Sequence, residues 1–187
     1  MNTLKQSTVF ALGLALLLPG TLMASELTKQ TKSREEAVQL IKHIERTSLA
    51  IQKHADELNA MARTSQISNA THKSGLRQIA NHVNEDLQPA FSRLDELQPE
   101  LPDWKKSAIQ EMRTSAADLA ASTNAAILNR NPDGSRMLPV VDQDYKKLLG
   151  NIHERATDLV QVADATGDYG SAQLKGHQAG LAITSHD

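Results

Sequence analysis

Four stretches of this chain place apolar or small residues at alternating steps of four and three, and no other feature constrains its fold as strongly. In the first stretch Ala37, Ile41, Ile44, Ser48, Ile51, Ala55, Leu58 and Ala62 form the seam, and neither proline nor glycine interrupts residues 33–64. A mean step of three and a half residues keeps one face of an α-helix toward a partner, whereas a strand needs a period of two. Ser33-Arg34-Glu35-Glu36 has the capping-box form, a hydroxyl for the first free amides and a carboxylate three residues on. The spacing therefore predicts a helix that starts at Ser33.

The second stretch, about 71–98, repeats the pattern with Leu76, Ala80, Val83, Leu87, Ala90, Leu94 and Leu97. Pro89 removes one amide and crowds the carbonyl of Glu85, at a cost of about 3 kcal/mol in a regular helix. The seam keeps its phase through Pro89, which predicts one kinked helix rather than two short ones. Pro99 and Pro102 bracket a tight connection, and Asp103 is placed to cap a third helix. Its seam is Ile109, Met112, Ala116, Leu119, Thr123 and Ala126, and its small-residue middle, 115–122, would let a neighbouring backbone approach closely.

Asn131-Pro132-Asp133-Gly134 signals a turn, and the loop continues through Ser135, Arg136 and Pro139. A fourth helix over about 142–166 carries Tyr145, Leu149, Ile152, Ala156, Leu159 and Ala163, with Gly167 suited to end it. Leu40, Ile79, Phe91, Ile127, Leu148 and Val160 widen the four stripes. Four helices of similar length with short connections predict an all-α, up-down-up-down antiparallel four-helix bundle over 33–166. At 1.5 Å per residue the rod is about 40–45 Å long. Residues 25–32 read as an N-terminal linker, and 167–187 as a flexible or partly helical tail.

Residues 1–24 read as a cleaved signal peptide: Lys5, an apolar run from Val9 to Leu18, the break Pro19-Gly20, and a close on Ala24. A cut after Ser25 also fits. Leu22 is a poor residue three places before a cut at Ala24, which keeps an uncleaved anchor as the other reading. The apolar run is short of the ~20 residues a membrane-spanning helix needs. The implied location is periplasmic or secreted, in a bacterium, with no stable membrane anchor after cleavage.

Composition adds exclusions. The chain has no cysteine, so disulfides, thiolate metal sites and a cysteine nucleophile are out. Its formal charge of −2, or −3 once Lys5 leaves with the leader, offers no field for nucleic acid. The pairs Lys105-Lys106 and Lys146-Lys147 are too small for such a footprint. Five aromatics in the whole chain make no stacking surface.

Candidate chemistry fares no better. A di-iron bundle needs Glu-x-x-His, and no histidine here has an acid three places before it. His43, His54, His82 and His153 fall off the seams, so axial haem ligation is not expected, and Met112 reads as core filler. His43 and His54 share one face but rise about 16 Å apart, too far for one metal ion. With Thr47 and Ala50 between them they form either a partner-binding ridge or the shoulder of the core. Ser185-His186-Asp187 has triad letters without triad geometry, because adjacent residues cannot converge from separate positions. Trp104 is expected to pack beneath a loop. No catalytic, cofactor-binding or metal-ligating residue is predicted.

The order of elements resembles a group of uncharacterised exported helical proteins from bacteria. The resemblance rests on Trp104-Lys105-Lys106-Ser107-Ala108-Ile109, on the small-residue third helix ending Ala125-Ala126-Ile127, and on Asp168-Tyr169-Gly170. It implies the exported location and the bundle, with no activity or cofactor to transfer. The functional expectation is a non-enzymatic bundle acting by protein–protein interaction in the bacterial envelope, as a monomer or homodimer with an unidentified partner. The alternative is a small-ligand or sensory bundle, with its pocket near Pro89 where packing must loosen.

Overall fold

The computed structural model describes the backbone of residues 20–131 and 138–184, and side chains over 28–131, 138–170 and at 172. Among the described residues there is no strand. Helix α1 spans Gly20–Met61. The second rod is α2 (Asn69–Asn81), a π-turn (His82–Leu87) and α3 (Gln88–Leu97), closed by one short 3₁₀ turn (Gln98–Glu100). Helices α4 (Asp103–Asn129) and α5 (Gln143–Thr184) complete four rods.

Neighbouring rods run antiparallel, as cross-contacts show. Arg93 pairs with Glu36 while Gly75 lies against Leu58, so the second rod descends along α1. Gln52 donates to Thr157 Oγ1 at 2.9 Å and Gly167 lies against Ile41, so α5 also descends along α1. Arg113 reaches the Phe91 carbonyl, Asn69 the Arg130 carbonyl and Arg155 the Asp118 carboxylate, which place α4 beside the second rod and α5. Every seam residue of α1 and of α5 named above is buried. In the other two rods Ala80, Val83 and Ala116 are half-buried and the rest are buried.

Pro89 is accommodated by backbone geometry rather than by a broken helix. The amide of Gln88 donates to the carbonyl of Val83, five residues back, so the turn ahead of the proline ring is widened. π-Turns and prolines are both established causes of helix bending. Leu87, Ala90, Leu94 and Leu97 stay buried across it.

Several expected ends move. Ser33 does not start a helix; it is a buried residue inside α1, because nothing between 21 and 32 breaks the helix. The expected linker 25–32 is therefore helical, and α1 ends at Met61. Of the expected leader, residues 1–19 lie outside the described residues. Asp103 is the first helical residue of α4 and takes the Lys106 ammonium at 3.0 Å instead of an amide. Gly167 does not end α5, since no glycine among the described residues takes the left-handed conformation that such a cap uses. Instead Gly167 and Gly170 lie close to Ile41 and Val38 of α1, and the helix continues to Thr184. The Pro132-Asp133-Gly134 turn and Ser185-His186-Asp187 lie outside the described residues. No helix among the described residues is long and apolar enough to cross a membrane.

Two glycines inside helices give opposite expectations. A Cβ on Gly150 meets nothing within 4 Å, whereas one on Gly75 would stand 2.7 Å from Leu58 Cδ2 in the packed core. Gly150→Ala should raise stability by about 0.5–1 kcal/mol through helix propensity alone. At Gly75 the same gain meets about 1–3 kcal/mol of overpacking, for a net loss near 1 kcal/mol. Urea midpoints of the two variants, moving in opposite directions from the parent, check this.

Candidate functional site

Beyond the π-turn the second rod packs chiefly on α1 and is held to α4 by Arg113. Helix α2 lies on α4, the π-turn touches it more lightly, and α3 packs chiefly on α1. The gap that opens is a groove of about 390 Å³ between the π-turn, α3 and α4. Val83, Leu87 and Phe91 line one side, and Ala116, Ala117 and Ala120 the other. Ala116, Ala117 and Ala120 thus border open space on this side of α4, while the backbone that approaches α4 most closely is that of α5. Asn84, Gln88, Ser92 and Arg113 complete the lining.

Arg113 is already engaged. Its guanidinium sits 5.5 Å over the Phe91 ring, donates to the Phe91 carbonyl at 3.3 Å, and pairs with Asp95. Ser92 donates back to the Gln88 carbonyl at 3.0 Å. The lining itself carries no histidine or carboxylate, and the Asp95 carboxylate, one turn from Ser92 on α3, is paired with Arg113 at its edge. Chemically the groove can bind apolar matter and offer hydrogen bonds at its edge.

A second constellation closes the end where α4 gives way to α5. Asp142 caps α5, its Oδ1 accepting the Tyr145 amide at 2.9 Å, while Oδ2 takes the guanidinium of fully buried Arg130. Arg130 also donates to Asn129 Oδ1 at 2.6 and 2.8 Å and lies 4.4 Å over the Tyr145 ring. The Tyr145 hydroxyl meets His72 Nδ1 at 3.1 Å, with the rings edge-on at 86°. Burial pushes the Tyr145 phenol well above its usual range, although Arg130 opposes this. Burial, then the Arg130 charge, holds the His72 imidazole below its usual value. A neutral phenol, a neutral imidazole and an ion pair already satisfied make a structural lock, not an activated nucleophile.

This lock makes stability depend on pH. Because folded His72 resists protonation, the unfolded chain binds more protons once the pH drops below about 6.5. The His72 contribution is complete above that value and is lost as the pH falls toward the depressed native one. The slope is at most about 1.4 kcal/mol per pH unit. The stability gap between the parent and His72→Gln should narrow from pH 7.5 to 5; a gap that stays constant would show that His72 does not titrate with unfolding.

At the opposite end Lys105 is buried, not part of a surface pair, with Nζ 5.3 Å from the Trp104 ring centroid. Desolvation, then the like charge of Arg34, holds its ammonium below the usual lysine value. Arg34 Nε is itself buried without an acceptor. Trp104 is half-buried and packs edge-on against Tyr169 of α5 at 4.6 Å, against a helix rather than only a loop.

His43, His54, His82 and His153 are half-buried on the rod flanks, and Met112 fills the core. Thr47, between His43 and His54, is buried, so that stripe is the shoulder of the core. The seam criterion missed His72, Lys105, Arg130 and Asp142, although each lies one further step of three or four beyond a seam end. Among the described residues no three or more His, Asp or Glu side chains converge as a metal-holding group. No family model, curated protein or solved structure matches the chain.

Proposed function

We propose that the chain is an exported, non-enzymatic up-down-up-down bundle that loses residues 1–24 and binds another envelope protein through the groove beside the π-turn. The groove itself carries this reading: an apolar lining with a polar edge whose one cation, Arg113, is already paired with Asp95. Exposed Leu128, Leu138 and Val141 at the α4–α5 end add apolar surface of the kind partners cover. A photo-crosslinking residue at Gln88 or Ala117, both exposed at the groove, should yield one adduct in the intact envelope. The same residue at Glu154 on α5 should yield none. An identical adduct from Glu154, or none from the groove, overturns the proposal. Intact mass of the exported protein reads the cleavage.

One observation favours a second reading at the same place. A volume of about 390 Å³ lies within the range of small-molecule sites, about 300–1,000 Å³. An apolar metabolite bound there should raise the melting midpoint of the parent and leave Ala117→Trp, which fills the groove, unshifted.

A further inference from the structure

Two cations near the first turn of α4 lack an acid of their own. Lys105 is 3% exposed, and its ammonium faces the Trp104 ring, 5.3 Å from the centroid. Half-buried Arg34 of α1 holds its Nε inside the protein without an acceptor. Among the described residues neither is paired with a carboxylate. Glu36, Glu100 and Asp103 stand at the same end, but each is taken by another cation, Arg93, Lys29 and Lys106 respectively.

Packing brings both cations to one place. Lys105 Nζ and Val38 Cγ2 each lie 3.1 Å from the point a Cβ on Gly170 would occupy, so the ammonium rests between α5 and the Val38 face of α1. Arg34 stands one turn before Val38 on that face, and helical residues four apart are neighbours, about 5–6 Å between Cβ atoms. The two charges act on each other: after desolvation, Arg34 is what holds the Lys105 ammonium below its usual value. A buried ammonium that faces a second cation is costly, and the fold keeps it where hydrocarbon would pack.

We propose that Lys105 and Arg34 form a site for a small oxyanion, a carboxylate or phosphate group that enters along half-buried Arg34. An oxyanion supplies what both lack: a counter-charge for the Lys105 ammonium and acceptors for the Arg34 guanidinium, whose planar fork suits either group. Trp104, edge-on against Tyr169 at 4.6 Å, walls the ammonium on its other side. None of these residues lines the groove, so this site and the groove stand or fall separately.

Trp104 is the only tryptophan of the chain, so its emission reports on this site. The test titrates inorganic phosphate and acetate separately into the full chain, each against sodium chloride at constant ionic strength. At least one should shift the emission saturably, and the tighter of the two names the group. Lys105→Met should abolish the shift while staying folded, because losing this charge is expected to raise stability. Arg34→Gln should weaken binding about 10–100-fold, the usual worth of a hydrogen bond to a charged group. Lys147→Met, exposed on α5 at the far end, should respond as the parent does. The same anion should raise the melting midpoint of the parent and leave that of Lys105→Met unmoved. No saturable shift in the parent, a shift that chloride matches, or a Lys105→Met variant that responds as the parent does each overturns the proposal.

Discussion

Asp142→Ala should remove about 3–5 kcal/mol of stability, more than any other single change described above. The carboxylate has two separate duties. Its Oδ2 neutralises Arg130, which is fully buried, and its Oδ1 accepts the Tyr145 amide at the start of α5. Breaking a buried pair by deleting one partner leaves an uncompensated charge, and that accounts for about 3–5 kcal/mol; loss of the cap adds roughly 1 kcal/mol. A domain of this size holds about 5–15 kcal/mol in total, so the variant should sit near the edge of folding. Asp142→Ser separates the duties, because serine still caps but cannot neutralise. Arg130→Met with Asp142→Ser should recover most of the loss, since replacing both charges is far cheaper than orphaning one. Urea unfolding of the three variants decides it; a loss under about 1 kcal/mol for Asp142→Ala would mean that solvent or Asn129 already satisfies Arg130.

Lys105→Met should move stability the other way, by about 1–3 kcal/mol. Lys105 is 3% exposed, and what surrounds its ammonium is an aromatic ring and another cation rather than an acid. Methionine keeps the length and the packing while removing the charge. For 150–250 residues, each kcal/mol corresponds to about 2–4 °C in melting midpoint, so the shift is readily seen. Its pH dependence is diagnostic. With the native value depressed, the unfolded chain binds the extra proton, and parent stability climbs as the pH rises toward the ordinary lysine value near 10.4. The advantage of the methionine variant should therefore be greatest near pH 7 and shrink by pH 9.5. A variant less stable than the parent at pH 7 would show that the ammonium is well solvated.

The four-three spacing carried the fold a long way. Ile41, Ile44, Ile51, Leu58, Ile109, Leu119, Leu149, Ile152 and Leu159 are buried where their spacing puts them. It stopped short at the ends because an apolar criterion halts at the first polar residue, whereas helix geometry does not. Ser33, His72, Lys105, Arg130, Asp142 and Thr166 continue the seams by one step, and all six are buried. Pro89 marked where packing loosens, and the groove lies there, but the Gln88-to-Val83 bond that widens the turn leaves no mark on side-chain periodicity. Gly167 illustrates the converse error. A glycine after a seam suggests a cap, yet here its bare Cα lies against α1 while α5 runs on. That the rings of His54 and His82 stack, 5.7 Å between centroids, was out of reach for a different reason: it depends on the relative height of two rods, which no single rod encodes.

The aliphatic middle and polar ends of the bundle together have a consequence for alignment. Along the middle, one heptad of Ile, Leu and Ala is much like the next, so sliding a helix by seven residues would sacrifice little packing. The ends forbid the slide. A seven-residue shift carries Asp142 about 10 Å from Arg130 and leaves both charges stranded in the core. Single polar positions fix alignment in coiled coils the same way, at a cost in stability. A chain combining Arg130→Met, Asp142→Ser and Lys105→Met is accordingly expected to melt higher than the parent while populating more than one alignment, seen as doubled amide resonances in α4 and α5. A single set of resonances would assign the alignment to the loops instead.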